Sequence, residues 1–349
     1  MSKFDPATDA LIQRILDQHR ESENSRFVWL ADEHPISPAM LDTLPKKLLL
    51  FISNRFDQHL LAQSKGITSR FSDFEILEND QSENIFIRVP KERALTHFLI
   101  NLSYKGLPRK GRLWLFGYKN EGIKTHISHA ANLLGCKASV VREKNQLSIA
   151  CLEKLSEGSE LLDDNNYRSL RLIKIGQANF YWSKPGIYGW DKVDIGSQLL
   201  IETLSSHEDA REGIQILDIG CGYGYLSLWA AQLQPVLLTA TDNCYGALEA
   251  AKKNLETTRA QVQASNAGDC IDGQYDLILC NPPFHQGFST TPDLHGRFLF
   301  HTRRLLKPKG AAWFVVNQFL PMEKLALESG LKATEIARNE GFKVLRLCR

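Results

Sequence analysis

An apolar run that ends in two successive prolines constrains the fold of this chain most strongly. Residues 275–280 have the largely apolar character of a strand buried on both faces of a parallel sheet. The segment that follows is Asn281-Pro282-Pro283-Phe284-His285. Two prolines neither continue a strand nor begin a helix in the usual way, so the backbone must leave the sheet at the strand's carboxyl end. In an open α/β sheet, ligands bind at that edge.

The chemistry of this segment suits a planar substrate that carries an exocyclic amine. The side-chain oxygen of Asn281 and the carbonyl oxygen of Pro282 can accept the two amine hydrogens. The ring of Phe284 can stack on the substrate. Taken alone, Asn-Pro-Pro is equally compatible with a simple turn, so the interpretation depends on what the rest of the chain supplies.

Length and composition narrow the class of protein. A chain of 349 residues suits two domains, and 43% hydrophobic with 23% charged residues is ordinary for a soluble globular protein. No apolar run reaches the roughly 20 residues of a membrane span, and the amino terminus lacks the pattern of a signal peptide, so we expect a cytoplasmic protein. The seven scattered cysteines indicate neither disulfides nor a metal site, and a net charge of +2 does not by itself indicate nucleic-acid binding.

Short apolar strands alternate with helical stretches along the chain, and this plan runs twice. We therefore predict an α/β protein with two tandem Rossmann-like domains, each built on a mainly parallel sheet, over residues 1–165 and 166–349. A polar stretch at 163–166 is the expected linker. The first copy is predicted to be degenerate. It has the glycine-free segment 51–56 at the position taken for its first strand, and Arg88-Val89-Pro90-Lys91 where the second copy has Asn281-Pro282-Pro283-Phe284.

A glycine-rich turn predicts the cofactor site of the second copy. The strand at 214–217 leads into Asp218-Ile219-Gly220-Cys221-Gly222-Tyr223-Gly224. Glycines allow positive φ and let a ligand approach the backbone. The spacing differs from the dinucleotide pattern Gly-x-Gly-x-x-Gly, and Asp218 would repel a pyrophosphate but attract the ammonium of an amino-acid moiety. S-adenosylmethionine is therefore favoured over NAD.

Further cofactor contacts are expected from the next two strands. Asp242 ends the second strand, where a carboxylate can accept both ribose hydroxyls. Asn266 follows the third strand and is expected near the adenine. The glycine- and aromatic-rich stretch before the helix at 198–204 is a possible lid for the pocket. Its candidate residues are Gly186, Tyr188, Asp194 and Gly196.

These motifs together resemble class I S-adenosylmethionine-dependent methyltransferases that act on exocyclic amines. The layout of the whole chain resembles the bacterial guanine-N2 enzymes of small-subunit ribosomal RNA. One departure is Ile187-Tyr188, where that family more often has Val-Phe. The resemblance implies methylation of a guanine N2 in 16S ribosomal RNA, with Asn281, Pro282, Pro283 and Phe284 catalytic and His285 a possible proton shuttle or RNA contact. It also implies that the first domain binds RNA or supports the second.

Further expectations and alternatives follow from this resemblance. Two similar halves packing together would leave the protein a monomer. Two clusters are candidate contacts for the RNA backbone: Lys105, Arg109, Lys110 and Arg112, and Arg303, Arg304, Lys307 and Lys309. The alternatives are a large-subunit guanine-N2 enzyme, a protein glutamine methyltransferase, and a non-catalytic RNA-binding assembly factor.

Overall fold

The chain divides into two compact units. The structure, a computed structural model, describes residues 4–76, 80, 82–175, 179–283 and 291–349. The first unit is Met1–Ser169 and the second is Leu170–Arg349. This division lies four residues beyond the boundary expected from the sequence.

The first unit contains five α-helices and seven strands within its described residues. Its helices are α1 Pro6–Glu21, α2 Pro38–Leu41, α3 Phe56–Ser64, α4 Arg93–Gly106 and α5 Ile123–Leu134. Its strands are β1 Phe27–Ala31, β2 Leu49–Ser53, β3 Thr68–Phe71, β4 Asn84–Arg88, β5 Arg112–Tyr118, β6 Ser139–Arg142 and β7 Leu147–Glu153.

The second unit adds a hairpin before its own sheet. Its helices are α6 Ile195–Leu204, α7 Tyr225–Ala231, α8 Tyr245–Asn254, α9 Thr291–Leu305 and α10 Met322–Glu328. The hairpin strands are β8 Arg171–Ile175 and β9 Asn179–Ser183. The sheet strands are β10 Gln215–Ile219, β11 Leu237–Asp242, β12 Gln261–Ala264, β13 Tyr275–Cys280, β14 Leu306–Asn317, β15 Lys332–Asn339 and β16 Phe342–Cys348.

Both sheets have the same strand order. The first runs β3-β2-β1-β4-β5-β7-β6 and the second β12-β11-β10-β13-β14-β16-β15. The first five strands of each are parallel, and β7 and β16 pair antiparallel with β5 and β14. The prediction of two tandem, mainly parallel Rossmann-like domains is confirmed. In each sheet the order reverses beside the first strand, and such a switch point is where α/β sheets bind ligands.

Burial on both faces explains why β13 forms the centre of the second sheet. Leu277, Ile278 and Leu279 are fully buried, and β13 pairs with β10 on one side and β14 on the other. Each such side chain stabilises the fold by about 1.5–3 kcal/mol relative to an exposed one. The strand has the bounds that its apolar run predicts, and Asn281 is the first residue beyond it.

One stretch departs from the expected pattern. The alternating residues 171–180 predict a single strand, but the structure has the antiparallel hairpin β8–β9, in which Ile173 pairs with Tyr181. Alternation marks half-buried strands without revealing a reversal between them. Asn254 holds this hairpin to the glycine loop. It accepts from Trp182 N at 2.7 Å and donates to the carbonyl oxygens of Trp182 and Tyr223 at 2.9 and 2.7 Å.

Pairing registers align the two copies residue by residue. Trp114 pairs with Phe86 as Trp313 pairs with Leu279, which makes Arg88 the counterpart of Asn281. The same alignment matches Ser53 with Asp242.

The ends of the second strands support this match. Ser53 Oγ accepts from the backbone N–H two residues later at 3.0 Å, and Asp242 Oδ1 does so at 2.8 Å. The comparison of residues 51–56 with the glycine-bearing first strand was therefore wrong, because β2 is the counterpart of β11. Short apolar strands look alike in sequence, so only their pairing in the sheet shows which strand of one copy corresponds to which strand of the other.

Candidate active site

Three polar side chains meet where neighbouring strands end. Asp218 lies in β10, Asp242 is the last residue of β11, and Asn281 follows β13. Ile219 of β10 pairs with Thr241 of β11 on one side and with Cys280 of β13 on the other. The structure thus brings these three predicted residues to the carboxyl edge of the sheet at its switch point.

The glycine loop after β10 needs its glycines. Gly220, Gly222 and Gly224 have φ values of 78°, 57° and 93°, in the left-handed region that side chains disfavour. The backbone N–H groups of Gly220 and Cys221 donate to Thr241 O at 2.8 and 2.9 Å, which ties the loop to β11. A Cβ at Gly222 would meet no heavy atom of the described residues within 4 Å. The loop therefore leaves open space next to its backbone, as a bound cofactor requires.

Asp242 is fixed by two backbone donors. Its Oδ2 accepts from Gly222 N at 2.9 Å and its Oδ1 accepts from Cys244 N at 2.8 Å. A carboxylate has about four acceptor positions, so each oxygen keeps a lone pair for a ligand hydroxyl. This geometry fits the predicted contact to a ribose.

Asp218 is fully buried, and its environment favours the protonated form. Burial raises its pKa to about 7, and the neighbouring Asp242 adds to the effect against the opposing hydrogen bond from Ser227. Ser227 Oγ donates to Asp218 Oδ2 at 2.6 Å, whereas Oδ1 is buried with no hydrogen-bond partner among the described residues. A buried acceptor without a partner is costly, and a cationic ligand group would offset that cost.

Asn266 lies two residues beyond β12, whose Ala264 pairs with Asp242. It is 7% exposed, so it is more buried than a simple loop residue, and its backbone N–H donates to Asp269 Oδ1 at 2.9 Å. Its position next to β11 is compatible with the predicted place near the adenine.

Asn281 donates both of its amide hydrogens. Its Nδ2 lies 2.6 Å from Asp194 Oδ2 and 2.8 Å from Ser197 Oγ. With both amide hydrogens used, the acceptor Oδ1 is the group that this side chain has left to offer a ligand. Pro282 is buried and Pro283 is half-buried. The predicted residues Phe284 and His285 lie outside the described residues.

The residues predicted as a lid are distributed over the start of α6 and the turn before it. Asp194 is the N-cap of α6 and accepts from Ser197 N at 2.8 Å. A side chain at Gly196 would be tightly packed, since a Cβ would lie 3.0 Å from the Phe342 ring. Burial and the adjacent Asp194 carboxylate raise the pKa of Tyr188.

The turn before α6 also lies close to the glycine loop. Gly186 has a φ of 89°. Its neighbour Ile187 packs with Tyr223, Ala247 and Ala250 in one apolar cluster. Residues of the predicted lid thus lie beside both the glycine loop and Asn281, while movement of this segment stays a prediction.

Ser197 belongs to the stretch predicted as a lid, but it was not among the candidate residues predicted within that stretch. Its hydroxyl accepts from Asn281, yet in sequence it is one of many serines. The signal that could have found it is the pattern Asp194-x-x-Ser197 at a helix start, where an N-cap aspartate brings its own side chain next to the third helical residue.

Two of the predicted RNA-contacting residues are used inside the second unit. Arg304 donates to the carbonyl oxygens of Ile271 and Gly268 at 2.8 Å, and Lys307 pairs with Asp276 at 2.8 Å. This weakens the expectation for the second basic cluster, because its charges are partly neutralised by the protein itself.

The described ranges contain no group of three His, Cys, Asp or Glu side chains arranged to hold a metal ion. No helix within them is long and apolar enough to cross a membrane.

The fold and the site define the class of protein. A doubly wound sheet with a glycine loop after its first strand, a carboxylate after its second and Asn-Pro-Pro after its fourth is the arrangement of a class I methyltransferase. Residues 179–346, which lie within the second unit, match the family described as Methyltransferase small domain. S-adenosylmethionine is the cofactor of this class, and the open space at Gly222, the fixed Asp242 and the buried free acceptor of Asp218 fit it.

Relatives along the whole chain make the resemblance more specific. Curated proteins named Ribosomal RNA small subunit methyltransferase C from Escherichia coli O1:K1 and Escherichia fergusonii are each 27% identical to it. In each case the match covers 99% of this chain and 97% of the relative. A solved structure of T. thermophilus 16S rRNA N2 G1207 methyltransferase, in complex with AdoMet and guanosine, superimposes with a TM-score of 0.82 at 24% identity. It covers 99% of this chain and 92% of that one, which establishes the shared fold of both units.

Proposed function

We propose that this protein transfers a methyl group from S-adenosylmethionine to the exocyclic N2 of a guanine in small-subunit ribosomal RNA. The observation that carries the proposal is the orientation of Asn281. Its Nδ2 is committed to Asp194 and Ser197, so its Oδ1 is presented as an acceptor at the edge where the glycine loop and Asp242 form the cofactor site. An amine donor is the substrate group that such an acceptor recognises.

For direct methyl transfer to guanine N2, the main task of the protein is to position the reacting groups. The guanine N2 lone pair is delocalised into the ring, which makes the amine a weak nucleophile. Hydrogen bonds from its two N–H groups to Asn281 Oδ1 and the Pro282 carbonyl oxygen would direct the lone pair out of that plane. The cofactor supplies an electrophilic methyl group whose bond to sulfur breaks as the N–C bond forms, and the extra amine proton leaves to water. Holding the reacting atoms about 3–3.5 Å apart provides much of the rate.

The cofactor contacts follow from the strand ends. Asp242 would accept the ribose hydroxyls, Asp218 the ammonium of the methionine moiety, and Asn266 would contact the adenine. Phe284 would stack on the target base once it leaves its RNA stack, at a cost of a few kcal/mol. His285 keeps its predicted role as a proton shuttle or RNA contact.

The relatives support the choice of RNA and of position. The T. thermophilus protein is named for N2 of G1207 in 16S rRNA, and we propose the corresponding guanine as the target here. The first unit is proposed to bind that RNA or to support the second unit. A monomer acting on ribosomal RNA in the cytoplasm completes the proposal.

Transfer of labelled methyl to a panel of acceptors tests this function. Purified protein is incubated with labelled S-adenosylmethionine and small subunits, large subunits, free 16S RNA or a glutamine-containing protein, each lacking the modification. We expect label in small subunits or 16S RNA, recovered as N2-methylguanosine after digestion to nucleosides. Label only in large subunits or in protein would replace the proposal by the corresponding alternative. Cofactor binding without transfer to any acceptor would overturn it.

A further inference from the structure

We propose that Asp194 and Ser197 are positioning residues that set which end of the Asn281 amide faces the substrate. The inference rests on the proposed function, since it concerns how that site accepts an amine. In this proposal neither Asp194 nor Ser197 contacts the reacting atoms. Their effect on the reaction passes through the side chain of Asn281.

The hydrogen bonds leave the amide one stable orientation. Asp194 Oδ2 and Ser197 Oγ lie 2.6 and 2.8 Å from Asn281 Nδ2. A half-turn of the amide would place Oδ1 at hydrogen-bond distance from the Asp194 carboxylate, with two acceptors opposed and no proton between them. In a partly buried site this repulsion is poorly screened. The carboxylate therefore selects the orientation with the NH2 group inward and Oδ1 outward.

We call the N-cap aspartate and the third residue of α6, Asp194 and Ser197, the frame of Asn281. The first unit has the corresponding pair, Asp5 and Thr8, next to a different residue. Asp5 is the N-cap of α1, and its Oδ2 accepts from Thr8 Oγ1 at 2.9 Å. Arg88, the counterpart of Asn281, donates to the same oxygen through Nε at 2.6 Å. In both units the N-cap aspartate thus accepts from the side chain at the end of the fourth strand, while the third helical residue differs in its partner: Ser197 accepts from Asn281, and Thr8 donates to Asp5.

The comparison explains why the second unit needs an amide. An arginine carries donors alone, and Glu121 takes two further N–H groups of Arg88 at 2.6 and 2.7 Å. Such a side chain satisfies the frame but offers no acceptor to an amine. An aspartate would offer an acceptor but would place a second carboxylate against Asp194. Of these three residue types, only asparagine combines a donor for the frame with an acceptor for the substrate.

The two positions separate the positioning role from helix capping. Asp194 also caps α6 by accepting from Ser197 N at 2.8 Å, so its replacement disturbs both roles. The Ser197 hydroxyl takes no part in that backbone contact, so among the described residues Ser197→Ala removes the bond to Asn281 and no other. Ser197→Thr keeps a hydroxyl, as Thr8 does in the first unit. Ser205→Ala is the matched control, because it removes an exposed hydroxyl at the other end of the same helix.

Kinetics and NMR on the full-length protein test the proposal. Methyl transfer gives kcat and KM on the best acceptor of the panel above, calorimetry gives the S-adenosylmethionine dissociation constant, and ¹⁵N spectra follow the Asn281 side-chain amide protons. For Ser197→Ala we expect a roughly tenfold lower kcat, with KM and cofactor affinity within twofold, and Asn281 amide protons that move upfield and exchange faster with water. Ser197→Thr should restore kcat to within threefold of wild type, and Ser205→Ala should change nothing.

A charge exchange gives the sharpest outcome. Asn281→Asp should lose about 10³ in kcat, and adding Asp194→Asn should recover at least tenfold of that loss, because an amide again faces a carboxylate. Ser197→Ala with unchanged kcat and unchanged amide signals would overturn the proposal, as would a double variant no better than Asn281→Asp. The NMR signals of the Asn281 amide can be measured without any RNA or protein substrate, so they test the positioning role alone. The identity of the methylated nucleoside tests the proposed function separately.

Discussion

Asp242 accepts the backbone N–H of Gly222 through Oδ2 at 2.9 Å, so the carboxylate that ends the second strand also fixes the glycine loop that follows the first. Its other oxygen accepts from Cys244 N at 2.8 Å, at the start of α8. A single side chain thus links three segments around the cofactor site. This link fixes the glycine loop and the end of β11 relative to each other.

Asp242→Ala should therefore weaken both cofactor binding and the fold. Removing an ionised acceptor from ribose hydroxyls should raise the S-adenosylmethionine dissociation constant by about 10- to 100-fold. The orphaned N–H groups of Gly222 and Cys244 should lower the free energy of unfolding by about 1–2 kcal/mol. Titration calorimetry and chemical denaturation measure the two effects. Asp272→Ala, at an exposed position of the same unit, is the control, and equal cofactor affinity in both variants would exclude the ribose contact.

Gly222→Ala separates backbone strain from lost cofactor space. Gly222 and Gly213 have φ values of 57° and 72°, and within the described part of the chain an added Cβ at either meets no heavy atom within 4 Å. Both alanine variants should lose about 1 kcal/mol of stability, because alanine disfavours positive φ. Only Gly222→Ala should lose cofactor affinity, by at least tenfold, since its methyl group enters the expected cofactor space. Equal affinities in the two variants would place the cofactor elsewhere.

The pKa of Asp218, raised to about 7 chiefly by burial, predicts a pH-dependent stability. The unfolded chain loses this proton near the ordinary value of 3.8, so the contribution of Asp218 to folding is complete below that pH and is lost as the pH rises to about 7. Between pH 5 and 8 the ligand-free wild type should lose stability relative to Asp218→Asn. From pH 5 to about 7 the expected loss is about 3 kcal/mol, and the whole shift from 3.8 to about 7 corresponds to about 4 kcal/mol. Parallel stability curves for the two proteins across that range would contradict the assignment.

Arg88→Met tests whether the buried ion pairs of Arg88 stabilise the first unit. Arg88 and Asp5 are almost fully buried, and the arginine pairs with both Asp5 and Glu121. Leaving those carboxylates unpaired should cost about 3–5 kcal/mol of folding free energy, measured by denaturation. The exposed Arg109→Met should stay within about 0.5 kcal/mol of wild type. A loss below 1 kcal/mol in Arg88→Met would show that the buried ion pairs do not hold this unit together.

Local patterns account for much of what the sequence predicts. The apolar run before Asn281, the glycine spacing after Asp218 and the carboxylate at Asp242 are each visible within one strand and its turn. Their meeting at one edge follows from the parallel sheet, because the carboxyl ends of parallel strands lie together. This is why the position of these residues at one edge of the sheet could be predicted from the sequence.

The remaining features depend on pairing and on long-range contacts. The counterpart of Asp242 in the first unit is Ser53, and only strand register shows that β2 and not β1 supplies it. Ser197 is 84 residues from Asn281 in sequence, and no local pattern records their hydrogen bond. Lys307 and Arg304 belong to a basic cluster of the kind found on RNA-binding surfaces. In the structure, however, Lys307 pairs with Asp276, and Arg304 donates to backbone carbonyl groups.

The role of Asn281 as the acceptor for the substrate amine is tested most directly by single-turnover methyl transfer to small-subunit RNA by wild type and Asn281→Ala. We predict that the variant binds S-adenosylmethionine within threefold of wild type, because the residue lies after β13 and outside the cofactor contacts of the glycine loop and Asp242. Its transfer rate to guanine N2 should fall at least 100-fold. A variant that forms N2-methylguanosine at a rate within threefold of wild type would contradict the central claim.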